Sequence, residues 1–420
     1  MASRSALTLL LPFLALNLGL AQIINPLASQ CSPNLPNVAC VNNFAAVMPL
    51  PFSRPASFEG TYNLADRFNN TLVNDPSFGL VRNASFVVFN KEKGLKLLGP
   101  SPTLETIFLV ANVIHEAPVY VPGLNAIIAS EFDQNTLDQI IINLNNTPPT
   151  ISLFKPNPPV FAVNGGRYLN GKVYWAVAGG DAIVNGTIIH QAPGIYTLNP
   201  FTRATQPILN NYFGQRFNSP NDLVLDSAGD IFFTDPIYGV ALNVTQSPPV
   251  LRQQSYRFRP STGAVAVIEA EIAVPNGIAL SPDEKTLYIT DTGVTNFTNL
   301  TSNVGPRFTY VTTGPKSIYA FDTVNSPAGK YFINKRPIWY AQECTTDGFH
   351  VASNGFLVGA TGLGVDVLTP FGELVVRIQT DFLIGNIQFA GPELSELWLF
   401  GIGKIARVKW ALTGLPGARS

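Results

Sequence analysis

Short apolar runs, each closed by a polar turn of Gly, Asn, Asp or Pro, follow one another along most of the chain. Within the runs the pattern alternates or is briefly continuous, and no long window shows a helical period, so the elements predicted are β-strands. The runs group into a larger unit. It begins with Asn, Asp or Glu, continues as an apolar strand, turns, and resumes as a second β-rich run. Clear copies are Asn221-Asp-Leu-Val-Leu with Gly229-Asp-Ile-Phe-Phe-Thr-Asp235, the stretch from Asn276 to Asp291, and that from Asp347 to Thr361. Weaker copies start at Glu116, Asn164 and Asn386. Runs such as Gly194-Ile-Tyr-Thr-Leu, Tyr256-Arg-Phe-Arg and Ser317 to Asp322 supply further strands between them. Four short strands per unit, at a spacing of roughly 40 to 70 residues, is the pattern of a propeller blade. The expected fold is all-β, a six-bladed β-propeller over residues 101–420. Leu104–Val110 should pair near the C-terminus and close the ring, which removes an exposed sheet edge. Residues 22–100 read as a largely irregular N-terminal extension, lying outside the blades from Gln22 to about Leu80.

Composition narrows the function. Hydrophobic residues make up 46% of 420, enough for a large core, and 34 Gly with 34 Pro suit many turns. Charged residues are only 13% and the net charge is −1, which excludes an electrostatic nucleic-acid binder and a polybasic membrane binder. Three His and three Cys leave little material for a zinc site. Residues 1–21 read as a secretory signal: Arg4 precedes an apolar run from Leu7 to Leu20, and small residues at Gly19 and Ala21 predict Gln22 as the mature start. No later apolar stretch reaches the length of about 18 residues that a membrane span needs. Secretion permits disulfides, and Cys31 and Cys40 are expected to pair, leaving Cys344 as a small buried hydrophobe. Glycosylation sequons begin at Asn69, Asn83, Asn145, Asn185, Asn243, Asn296 and Asn299. The expected localisation is extracellular.

Propeller geometry turns the repeat into chemistry. The first strand of each blade runs beside the central channel, so the six leading residues converge on one axis. They are Glu116, Asn164, Asn221, Asn276, Asp347 and Asn386, and all offer oxygen. Carboxylate and amide oxygens without imidazole or thiolate suit a hard cation, calcium first and magnesium second. Taken singly, Asn276-Gly277 and Asp347-Gly348 would be ordinary turn dipeptides; in matching register they point to a channel metal site.

The segments Phe217–Gly239, Val274–Gly293, Thr346–Ala360 and His115–Phe132 resemble the gluconolactonase/senescence-marker (regucalcin) family, in order from about Leu95 to Val408. Asn210–Asp222 and Asn164-Gly-Gly166 are similar to the secreted fungal lactonohydrolases that open aldonate and pantoyl lactones. The resemblance implies calcium ligands at Glu116, Asn221, Asn276 and Asp347, a general base at Asp347, and substrate contacts at Asn164, Asn221 and Tyr238. Tyr238 stands where an acidic sugar-binding residue is the family's pattern, and Arg216 is displaced by the Asn218-Ser-Pro insertion. Both departures point away from a gluconate-type substrate.

Opening a lactone needs a polarised carbonyl and an activated water. Calcium would supply the first. Asp347 is the first candidate for the base, and His115, beside Glu116, is the second, because a metal-bound carboxylate is a weak base. Strand alternation turns His350 away from Asp347, His190 falls in a loop, and no G-x-S-x-G elbow supports a covalent route. Trp175, Phe232, Phe233, Tyr288 and Trp398 read as inter-blade core. Competing readings are a paraoxonase-like aryl-ester or natural-product lactone hydrolase, a non-catalytic ligand-binding propeller, and a strictosidine-synthase-like condensing enzyme. The full oxygen set favours metal-assisted hydrolysis.

Overall fold

A computed structural model describes residues 26–54, 67–132, 137–184, 186–245, 248–297 and 308–416. The signal segment 1–21 and the sequons at Asn185 and Asn299 lie outside these residues. The regular secondary structure of the described chain is almost entirely β, in a series of mainly antiparallel sheets. Six of these begin with the strands named here β1 (Glu116–Val121), β2 (Val163–Leu169), β3 (Leu223–Leu225), β4 (Pro275–Leu280), β5 (Thr346–Val351) and β6 (Ile384–Ala390). The first four sheets run outward as four-stranded meanders. Tight turns set their register: Asn170 and Gly171, at φ +50° and +81°, make the two-residue hairpin between Leu169 and Lys172.

The strands β1 to β6 contact one another in cyclic order, β6 returning to β1. The last sheet is completed from the other end of the chain. Thr103–Ile114 pairs antiparallel with Glu396–Lys409, with Leu104 opposite Val408 and Phe108 opposite Ile405, so the expected pairing of Leu104–Val110 is present. Between neighbouring sheets lie the aromatics singled out from sequence. Trp175 packs among Val119 and Val163, Trp398 among Ile127 and Phe400, and Phe232 among Val224 and Ile278, all fully buried. Tyr288 meets Phe349 edge-on at 6.2 Å.

The N-terminal extension differs from the expectation of an irregular segment outside the blades. Phe86–Val88 pairs antiparallel with Leu374–Gln379, the outer strand of the fifth sheet, and Val38–Val41 pairs parallel with Phe86–Val88. Ala28–Gln30 follows, making seven strands. The physical reason is the unpaired edge of Leu374–Gln379, whose Val376 and Ile378 are buried and whose backbone needs partners. The extension's strands are too short to show a period, and their partner lies almost three hundred residues away. Cys31 and Cys40 form a disulfide there, with Cα atoms 5.0 Å apart.

Candidate active site

The leading residues of the inner strands sit at breaks in the ladders. Register shifts fall between Glu116 and Val119, Val163 and Gly165, Pro275 and Ile278, Thr346 and Phe349, and Ile384 and Asn386. An extra residue in a strand re-aims the side chains beside it, and here the shifted positions lie along the inner ring. Gly277 and Gly348 are therefore not turn residues, as their dipeptides suggested. They allow close approach: a β-carbon on Gly277 would lie 2.6 Å from the Asp347 carbonyl oxygen, and one on Gly348 would lie 2.7 Å from the Asn386 Cα. Glycine at these two places lets β4, β5 and β6 converge.

Five of the six leading residues, Glu116, Asn164, Asn221, Asn276 and Asp347, line one cavity of about 200 Å³. The sixth, Asn386, is not in its wall but hydrogen-bonds Glu116 from behind. His115 and Tyr238 also line it, with Phe132, Leu242, Thr292, Thr295, Tyr310, Cys344 and Thr345. His115 Nε2 lies 3.3 Å from Glu116 Oε1, and its ring packs against Gly385. The Tyr238 hydroxyl is 2.7 Å from Thr292 Oγ1, and its ring meets Phe297 edge-on at 5.4 Å.

The two carboxyls of this cavity are held far from their usual range. Burial pushes Glu116 well up, and the charge of Asp347 adds to it. Burial also pushes Asp347 up to about 7, against a hydrogen bond from Asn276 that favours its ionised form. Tyr238 is raised by burial and by Asp347, so its phenol stays protonated. The Nδ2 amide group of Asn164 is buried without a hydrogen-bond acceptor. No lysine or arginine lines the cavity. Buried oxygen donors that repel one another fit a hard divalent cation, and this donor set passes that test on its own chemistry. Among the described residues no group of three or more His, Cys, Asp or Glu forms a metal cluster; the set here is two carboxylates completed by amides.

Several wall residues were not singled out from sequence. Cys344 was expected in the core but faces the cavity beside the Tyr310 hydroxyl, its thiol pushed up to about 12 by burial and hence neutral. Thr292 and Thr295 follow the second strand of the fourth sheet, a position without a chemical signature. Beneath the cavity lies a buried ion pair of Arg167 and Asp222, legible only as the Asp that follows Asn221. His350 is fully buried and outside the cavity wall, kept neutral by burial and by Arg167. His190 is exposed, 2.8 Å from Asp181.

Comparison with known proteins gives this arrangement a context. A family profile described as "SMP-30/Gluconolactonase/LRE-like region" matches residues 175–401. The lactonohydrolase oryL of Aspergillus oryzae is 39% identical over 396 residues, covering 93% of this chain and 89% of its own length. Among solved structures, a gluconolactonase of Xanthomonas campestris superimposes with a TM-score of 0.61 at 19% identity, over 85% of this chain and 99% of its own. A calcium-binding protein, regucalcin, of Agrobacterium tumefaciens gives a TM-score of 0.55 at 15% identity, over 76% and 98%. With the profile spanning more than half of the sequence and the fungal relative nearly all of it, this chain belongs to the SMP-30/gluconolactonase/LRE-like family.

Proposed function

We propose that this protein is a secreted, calcium-dependent lactonase that opens a small aldono- or pantoyl-type lactone to its hydroxy acid. The observation that carries the reading is the pair of half-buried carboxyls, Glu116 and Asp347, in one cavity with the buried amides of Asn221 and Asn276 and no lysine or arginine. The lactonohydrolase relative supports the reaction class. The name of the regucalcin neighbour supports calcium. In this reading the six sheets are the blades of a six-bladed propeller, and the cavity is the mouth of its central channel.

Glu116, Asn221, Asn276 and Asp347 would hold the cation. When bound it would polarise the lactone carbonyl and stabilise the tetrahedral oxyanion. The remaining work belongs to side chains. Asp347 accepts a proton from water as the water oxygen bonds to the carbonyl carbon, and returns that proton to the ring oxygen as the C–O bond breaks. A cation beside Asp347 weakens it as a base, so His115, within reach of Glu116, is the second candidate. Asn164 offers its buried, unpartnered amide N–H to a substrate oxygen, and Asn221 and the neutral Tyr238 hydroxyl complete the contacts. The exposed sequons at Asn83, Asn145, Asn243 and Asn296 are compatible with secretion and glycosylation.

The test is a pH-stat screen of aldono-, pantoyl- and aryl-lactones, run with calcium and then with a chelator. Opening of a lactone that stops with chelator and resumes with added calcium is the expected result. Hydrolysis indifferent to chelator sinks the metal reading, and preference for aryl lactones moves the substrate to the paraoxonase-like class.

A further inference from the structure

We infer that the buried Arg167–Asp222 pair is a positioning device, a clamp that sets the spacing of the site residues across four sheets. The inner strands belong to different sheets, so no ladder fixes one against the next. Single hydrogen bonds such as that from Thr234 Oγ1 to the Asn276 carbonyl, 2.7 Å, join neighbours two at a time; this pair joins four strands at once. Arg167 donates from Nη1 to the Gly166 carbonyl at 2.8 Å and from Nη2 to the Phe349 carbonyl at 3.2 Å. It reaches the two carboxylate oxygens of Asp222 at 3.2 and 3.3 Å. Asp222 in turn accepts the Leu223 N–H at 2.8 Å and the Ile278 N–H at 3.2 Å. The contacts join β2, β3, β4 and β5 within one to three residues of Asn164, Asn221, Asn276 and Asp347.

Stability alone does not explain such a pair, because apolar residues of similar size commonly replace a buried ion pair without loss. What a planar guanidinium adds is a rigid fork with several donors at set angles. Its reach across the axis converts loose side-chain packing into fixed separations, and a multidentate oxygen site depends on those separations.

The inference rests on the calcium reading of the site, and the test separates the two. Metal-free wild type, Arg167→Lys and the double variant Arg167→Met/Asp222→Leu are compared by thermal unfolding and by calorimetric titration with calcium. The double variant should fold, with calcium affinity lowered about 10- to 100-fold, the usual effect of removing the groups that orient ligands. Arg167→Lys keeps the charge but not the fork, and should keep the wild-type Tm while losing affinity. Wild-type affinity in a folded double variant overturns the clamp. If the double variant does not fold, wild-type affinity in Arg167→Lys overturns it. Should wild type itself bind no calcium, the calcium reading falls, and crystal structures decide the clamp. Displaced Asn276 and Asp347 side chains in Arg167→Lys support it, and superimposable ones overturn it.

Discussion

Two acid clusters among the described residues differ in what neutralises them. In the fifth sheet Glu343 and Asp366 flank Arg377, whose guanidinium lies 2.5 Å from one and 2.6 Å from the other, all three fully buried. Around it Glu343 accepts the N–H groups of Phe68 and Leu363, tying the N-terminal extension to the sheet. In the cavity Glu116 and Asp347 share a wall with amides, and among the residues lining it His115 is the one basic side chain. The first cluster carries its own cation and is a structural joint. The second has no lysine or arginine in its wall, and there the charge of Asp347 adds to burial in raising the proton affinity of Glu116. Burying acids is costly in both places; in the cavity no lysine or arginine offsets that cost, which is what the proposed cation would do.

The largest expected effect that would break this contrast is on catalysis. Asp347→Asn should lower lactone opening by about 10²–10⁴-fold, the usual share of a positioned base, while the near-ultraviolet circular dichroism stays native. In chelator the same variant should gain thermal stability above about pH 7, where Asp347 is ionised near Asp222 and Glu116. A nearly wild-type rate, with a large loss in His115→Gln, would move the base to the histidine. The opposite outcome is expected of Arg377→Met, which strands Glu343 and Asp366. Urea unfolding should show a loss of about 3–5 kcal/mol, with the rate per folded molecule retained. Glu116→Gln should act between these, raising the calcium concentration for half-maximal rate, with activity recovered at saturating calcium.

The smallest effect is on the pH dependence of stability. Burial holds Asp347 and Asp235 at about 7 in the folded chain, against an ordinary value of 3.8. Between those values the native state keeps protons that the unfolded chain has released, so stability falls as pH rises through the window. Tm profiles in chelator should show this decline, and calcium should flatten the part due to Asp347 but not the part due to Asp235. Identical profiles with and without calcium would remove Asp347 from the metal site.

Much of the inner ring was legible in the chain. Glu116, Asn164, Asn221, Asn276, Asp347 and Asn386 each lead a copy of one repeat, and equivalent positions in a repeat take equivalent places in space. The pairing of Leu104–Val110 with the C-terminal region followed from the need to cover an edge. Other features were not legible. The glycines after Asn276 and Asp347 looked like turns, since the same residue serves positive φ in a turn and bare space between strands.

Sequence by itself determined the β-period, the repeat and the oxygen-bearing residues that lead it, because these depend on neighbours along the chain. Tertiary structure alone decided that Asn386 backs Glu116 instead of facing the cavity. It also decided that Cys344 lines the wall, that Ala28–Gln30, Val38–Val41 and Phe86–Val88 lengthen the fifth sheet, and that Arg167 meets Asp222 beneath the site. Each of those depends on contacts between residues far apart in sequence, for which no local period leaves a trace.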